Sequence, residues 1–224
     1  MVALEPEPTN DYLGSIGQQV EGLHQMAKAR ENSEGLQEHL LVRFQTRPGS
    51  VVEFVEYHEF LFEPLVAMYE AFEPKRGAQG LPPLGRDRIL TWLRPLLSEN
   101  LNLLALHGDK VIGHTMLCPV PLRRGCAEFA IFVHQDFRNQ GIGTEFTRVT
   151  LNYGKEKGLH QIWLTVEVNN FPAIRVYKKL GFQISGTYYP EVEMLLNFEV
   201  APDTIFRLCI RDASELRHRS EGSE

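Results

Sequence analysis

Cysteine is scarce in this 224-residue chain: Cys118, Cys126 and Cys209 are odd in number and nowhere spaced as C-x-x-C. That argues against a disulfide scaffold or a cysteine-based zinc site and suits reduced, buried thiols. No apolar run comes near the roughly 20 residues that a membrane-spanning helix needs. The amino end, MVALEPEPTNDY, is acidic and carries proline where a secretory leader would be basic and then apolar. A cytoplasmic protein with no membrane partner is the expectation. Positive charge is also short: the net charge of −6 argues against nucleic acid as a partner, while it suits a cationic or amine substrate. HExxH spacing is absent, so Tyr57-His58-Glu59 reads as a solvated helix face and no metal is expected.

What is present suffices for one core, since a chain of this length with 43% hydrophobic residues buries roughly 70% of its unfolded surface. The expected organisation is a polar extension over 1–36, a domain over 37–198 and a tail over 199–224. Within the extension, Leu13, Ile16, Val20, Leu23 and Met26 predict a helix from Asp11 to Ala29. His39 to Thr46 predicts a first strand, broken by Arg47-Pro48-Gly49. Ser50-Val51-Val52-Glu53 has the form of a capping box and predicts a helix start, with Pro64 interrupting or restarting the helix. Glu73 to Gly85, dense in Gly and Pro, is a candidate substrate loop. A helix is expected over Arg86 to Ser98, with a kink at Pro95. Leu103 to His107 and Lys110 to Leu117 flank Gly108-Asp109 as a hairpin, with His107 and His114 expected to face solvent or satisfy backbone groups.

Cys126 to His134 predicts the strand that leads into the most informative stretch, Ile131 to Phe146. After Gly141, the residues Ile142, Phe146, Val149 and Tyr153 recur at helical spacing, so a helix starts at the glycines. Its first N–H groups lack intrahelical partners, and Arg138 to Thr144 offers a ring of donors to an anion. Glycine at 141 and 143 allows close approach, and Arg138 adds charge at the mouth. A dinucleotide fingerprint fails where its third small residue would be, at Phe146, and a Walker loop lacks its Gly-Lys-Ser/Thr. A strand over His160 to Val168, a helix from Pro172 to Gly181, and strands over Phe182 to Tyr188 and Glu191 to Phe198 complete the domain.

Arg138-Asn139-Gln140-Gly141-Ile142-Gly143 and the later Asn170 to Phe182 segment, NFPAIRVYKKLGF, together resemble the GNAT N-acetyltransferase family, with similarity over roughly 39–198. The resemblance implies an α/β fold, a three-layer α/β/α sandwich around a mixed, mostly antiparallel sheet splayed between strands 4 and 5. It implies acetyl-CoA as co-substrate, held by Ile131, Val133, Arg138, Asn139, Gln140, Gly141, Ile142, Gly143, Thr144 and Asn170. Tyr177 takes the family position of the acid that serves the leaving thiolate, although a tyrosine on an apolar stripe also suits plain packing. The family's usual base positions fall on Ala127 and Phe129, which cannot accept a proton. Glu128 between them is the candidate base, with Glu167, Tyr57, His58 or a water as alternatives. Two functions follow: an N-acetyltransferase acting on a small-molecule or protein amine, or a catalytically weak acyl-CoA-binding sensor or assembly module. A homodimer is left open.

Overall fold

A computed structural model describes residues 36, 38–74 and 81–201. The expected helix Asp11 to Ala29, the tail beyond 201 and the middle of the candidate substrate loop lie outside the described residues. The chain divides into two units, Met1–His39 and Leu40–Glu224, and every element named below belongs to the second.

Eight strands form one sheet in the order β1-β2-β3-β4-β5-β6-β8-β7. They are β1 (Leu40–Gln45), β2 (Val51–Glu56), β3 (Leu101–His107), β4 (Lys110–Pro119), β5 (Cys126–Val133), β6 (Gln161–Glu167), β7 (Gln183–Tyr188) and β8 (Glu191–Asn197). Among the described strands, only β5 and β6 pair in parallel. Among the described residues, the α-helices are α1 (Phe62–Ala71), α2 (Arg86–Glu99), α3 (Ile142–Glu156) and α4 (Phe171–Lys179).

Strand parity explains the layers, because successive side chains leave a strand on opposite faces. On one face, Ile142, Phe146, Val149 and Tyr153 of α3 pack against Val52, Phe54, Leu103 and Ile112. Farther along that face, Tyr177 and Leu180 pack with Phe129, Leu164, Val166 and Met194. On the other face, Phe132 of β5 meets Tyr69 and Phe72 at the end of α1 and Trp92 of α2 through edge-on ring contacts. Two helical layers thus enclose the sheet.

Two expectations are corrected. Ser50 to Glu53 opens a strand rather than a helix: Val51–Glu56 is β2, paired with β1 on one side and β3 on the other. A capping box is a local preference, whereas Val52 and Phe54 are wholly buried on the sheet and Phe54 stacks on Phe146 at 4.8 Å. His114 does not face solvent; it is fully buried in the central strand β4. Its Nε2 lies 2.9 Å from Oδ1 of Asn102 and its Nδ1 lies 2.7 Å from the Tyr69 hydroxyl. Asn102 uses its Nδ2 to donate to the carbonyls of Leu96 and Asn100, so its Oδ1 accepts from Nε2–H and Tyr69 donates to Nδ1. Burial drives His114 down to about 3, which keeps the ring neutral. This chain of hydrogen bonds ties α1 and the end of α2 to the sheet.

Candidate active site

The sheet parts between β5 and β6. Their parallel ladder comprises Cys126↔Gln161, Ala127↔Ile162 and Glu128↔Trp163 and stops there, while β5 continues to Val133 alongside β4. The parity of the β4–β5 ladder decides which backbone groups face the gap. His134 N–H donates to the Ile112 carbonyl at 2.9 Å and Val120 N–H to the Cys126 carbonyl at 2.9 Å, so even-numbered residues of β5 address β4. Ile131 and Val133 therefore turn their peptide groups toward the gap, where β6 no longer pairs with β5. The Val133 carbonyl accepts from Arg138 Nε at 3.1 Å, which leaves its N–H on that side.

At the end of this edge lies the start of α3. Asn139 (φ 62) and Gly141 (φ 90) are left-handed, and Gly141 is the N-cap. The Glu145 amide, donating to the Gly141 carbonyl at 3.2 Å, makes the first helical bond. The amides of Ile142, Gly143 and Thr144 precede it and have no helical partner. The two glycines differ in kind. Gly141 is required by its own backbone, whereas Gly143 has no positive φ and a Cβ there would meet no heavy atom within 4 Å. Nothing in the described fold demands glycine at 143. A diphosphate drawn close to these amides would, and in that respect the residues present fit one.

The Arg138 side chain is engaged by its own chain. Besides Val133, its Nη2 donates to the Glu73 carbonyl, and its guanidinium lies over the Phe72 ring at 5.4 Å. Gln135 binds the same segment, with Oε1 accepting from Glu73 N–H and Nε2 donating to the Ala71 carbonyl, both at 2.9 Å. No sequence signal pointed to this contact. Gln140 uses its amide on the Asp136 carbonyl at 3.2 Å.

Tyr177 is 8% exposed. Its ring stands edge-on to Phe129 at 6.2 Å and packs against Phe182, and its hydroxyl has no hydrogen-bond partner among the described residues. Burial pushes it up to about 12, so it holds its proton at neutral pH. Ala127 and Phe129 are buried on the α4 face, which leaves Glu128 on the opposite face with Cys118 and Trp163 as ladder neighbours. Glu128 is half-buried and its carboxyl is raised, first by burial and then by the charge of Glu191. Asn170 caps α4, its Oδ1 accepting from Ala173 N–H at 3.3 Å. Tyr57 and His58 follow β2, three strands from β5, and Tyr57 donates to Glu59 at 2.9 Å. Glu167 is exposed at the end of β6. Among the described residues, no group of three or more His, Cys, Asp or Glu is placed to hold a metal, and no helix is long and apolar enough to cross a membrane.

Residues 65–182, which carry both glycine-loop and Tyr177 segments, match the acetyltransferase (GNAT) family. The chain belongs to the GNAT acetyltransferase family. It is 38% identical over 85 residues to the L-amino acid N-acetyltransferase AaaT of Escherichia coli K12, covering 37% of this chain and 52% of that protein. It is 36% identical over 84 residues to N-alpha-acetyltransferase 30 of Schizosaccharomyces pombe, covering 35% and 54%. The chain thus spans about half the length of these GNAT relatives. In fold it is similar to the GNAT domain of S. lividans PAT, with a TM-score of 0.59 and 17% identity over 69% of this chain and 95% of that one.

Proposed function

We propose that the protein moves an acetyl group from acetyl-CoA to an amine by direct attack. The observation that carries this reading is the unpaired edge of β5, running from Ile131 and Val133 to the free amides that open α3. When bound, acetyl-CoA supplies an activated acetyl thioester. The Ile131 amide orients the acetyl carbonyl and stabilises charge on its oxygen. Val133 N–H and Asn170 Nδ2 hold the pantetheine arm, and the backbone of Asn139 to Thr144 receives the diphosphate. Glu128, on the face that carries α1 and α2, accepts the proton of the incoming amine. The Tyr177 hydroxyl offers its proton to the departing sulfur.

The acceptor is a small-molecule or protein amine, the setting cytoplasmic, and no metal takes part. Release of free CoA across a panel of spermidine, L-amino acids and a peptide with a free amino terminus tests this. Tyr177→Phe keeps the ring packing and removes only the donor. Acetyl-CoA binding should persist while turnover falls about 100- to 10,000-fold. Binding and turnover both within a few-fold of the parent would sink the acid role. Acetyl-CoA binding with no amine-dependent release from the parent would favour a sensor or assembly module.

A further inference from the structure

The contact between Gln135, Arg138 and the end of α1 joins two parts of the molecule that the reaction uses separately. On one side is the loop that starts α3, whose amides take the donor. On the other is α1, whose Tyr69 and Phe72 pack on Phe132, on the face of β5 that also carries Glu128. Between them, Gln135 holds both the Glu73 amide and the Ala71 carbonyl. Arg138 holds the Glu73 and Val133 carbonyls at once and covers Phe72. The planar fork of arginine suits this double attachment, and lysine cannot reproduce it.

We propose that Gln135 and Arg138 are positioning residues that latch the end of α1 to the donor loop, so that filling the donor site steadies the acceptor-side helix. Arg138 is then engaged with main-chain carbonyls rather than with phosphate. Its backbone adjoins Asn139 and the loop amides, so fixing that loop also fixes the guanidinium, and with it Ala71 to Glu73. The latch rests on the donor site proposed above, and donor binding is measured separately for that reason.

The test uses CoA itself as the probe and needs no acceptor. Hydrogen exchange across α1 is followed with and without CoA in the parent protein and in Arg138→Ala, Arg138→Lys and Gln135→Ala, with CoA affinity measured by calorimetry. In the parent, CoA slows exchange in the last turn of α1 by about fivefold or more, the size of an ordinary coupling between sites. In each variant, affinity stays within about threefold of the parent while the slowing in α1 is lost, because coupling is removed and direct contacts are kept. If Arg138→Ala weakens CoA about tenfold or more, as loss of a charged hydrogen bond would, and α1 still responds, Arg138 is a phosphate ligand and the latch is wrong. A parent that binds CoA with no change in α1 overturns the latch alone. A parent that does not bind CoA overturns the donor site and the latch with it.

Discussion

In the proposed reaction, Tyr177 and Glu128 would divide the proton chemistry between the two faces of β5. A phenol held near 12 is a weaker acid than a thiol near about 8.5, so in that reaction its hydroxyl would serve as a hydrogen-bond donor to the sulfur, full proton transfer being uphill. Glu128 has the opposite task and benefits from being raised, because a base works best with a pKa near the operating pH. The acid limb of kcat/KM should therefore fall above the usual carboxylate range. Glu191→Gln removes a negative charge that disfavours ionised Glu128, so the limb should move to lower pH. Burial, the larger cause, remains, so the move is partial. An acid limb unaltered by both Glu128→Gln and Glu191→Gln in a full pH–rate profile would rule out Glu128 as base. The face that Glu128 occupies was legible from strand alternation, opposite the buried Ala127 and Phe129. The charge of Glu191, which adds to burial in raising it, was not, since β8 comes 63 residues later and lies two strands away in the sheet.

Elements with strong periodicity could be read directly. Helix α3 begins where the glycines place it, the hairpin turns at Gly108-Asp109, and α4 carries Pro172 in its first turn. The failures share a cause. Ser50 to Glu53 satisfied a helix rule within four residues, but the choice was made by two neighbouring strands and by Phe146 far along the chain. His114 looked like a turn-flanking histidine because a sequence does not display that β4 lies inside the sheet with both faces covered. Arg138 showed its charge, but its partner carbonyl at Glu73 stands 65 residues earlier and belongs to the backbone, which leaves no mark on residue type. The start of α3 supports a paired prediction. Gly143→Glu should leave the melting temperature near that of the parent, because open space surrounds a Cβ there, yet abolish CoA binding by calorimetry. Gly141→Ala forces a side chain into φ +90 and should destabilise the fold by about 1 kcal/mol or more. Unchanged CoA affinity in Gly143→Glu would remove the diphosphate from this helix start.

For the whole molecule, the sheet is two parts joined by the short β5–β6 ladder. One core gathers α3 with β2 to β4, the other gathers α4 with β5, β6 and β8 and includes Leu117 and Leu151, and Leu101 and Ile131 are packed against both. In the proposed complex, a donor seated between β5 and β6 would take the place of the ladder that is absent there. Acetyl-CoA at about 100 times its Kd should stabilise the native state by about 2.7 kcal/mol. For a domain of this size that raises Tm by several degrees, roughly 2–4 °C per kcal/mol. A melting curve that does not move under saturating acetyl-CoA would contradict a site in the gap. Ile131 has a double membership, since its side chain belongs to both cores while its peptide faces the opening between them. One isotopically labelled isoleucine therefore carries two separable signals, its methyl groups reporting whether the halves are joined and its amide nitrogen whether the space between them is filled.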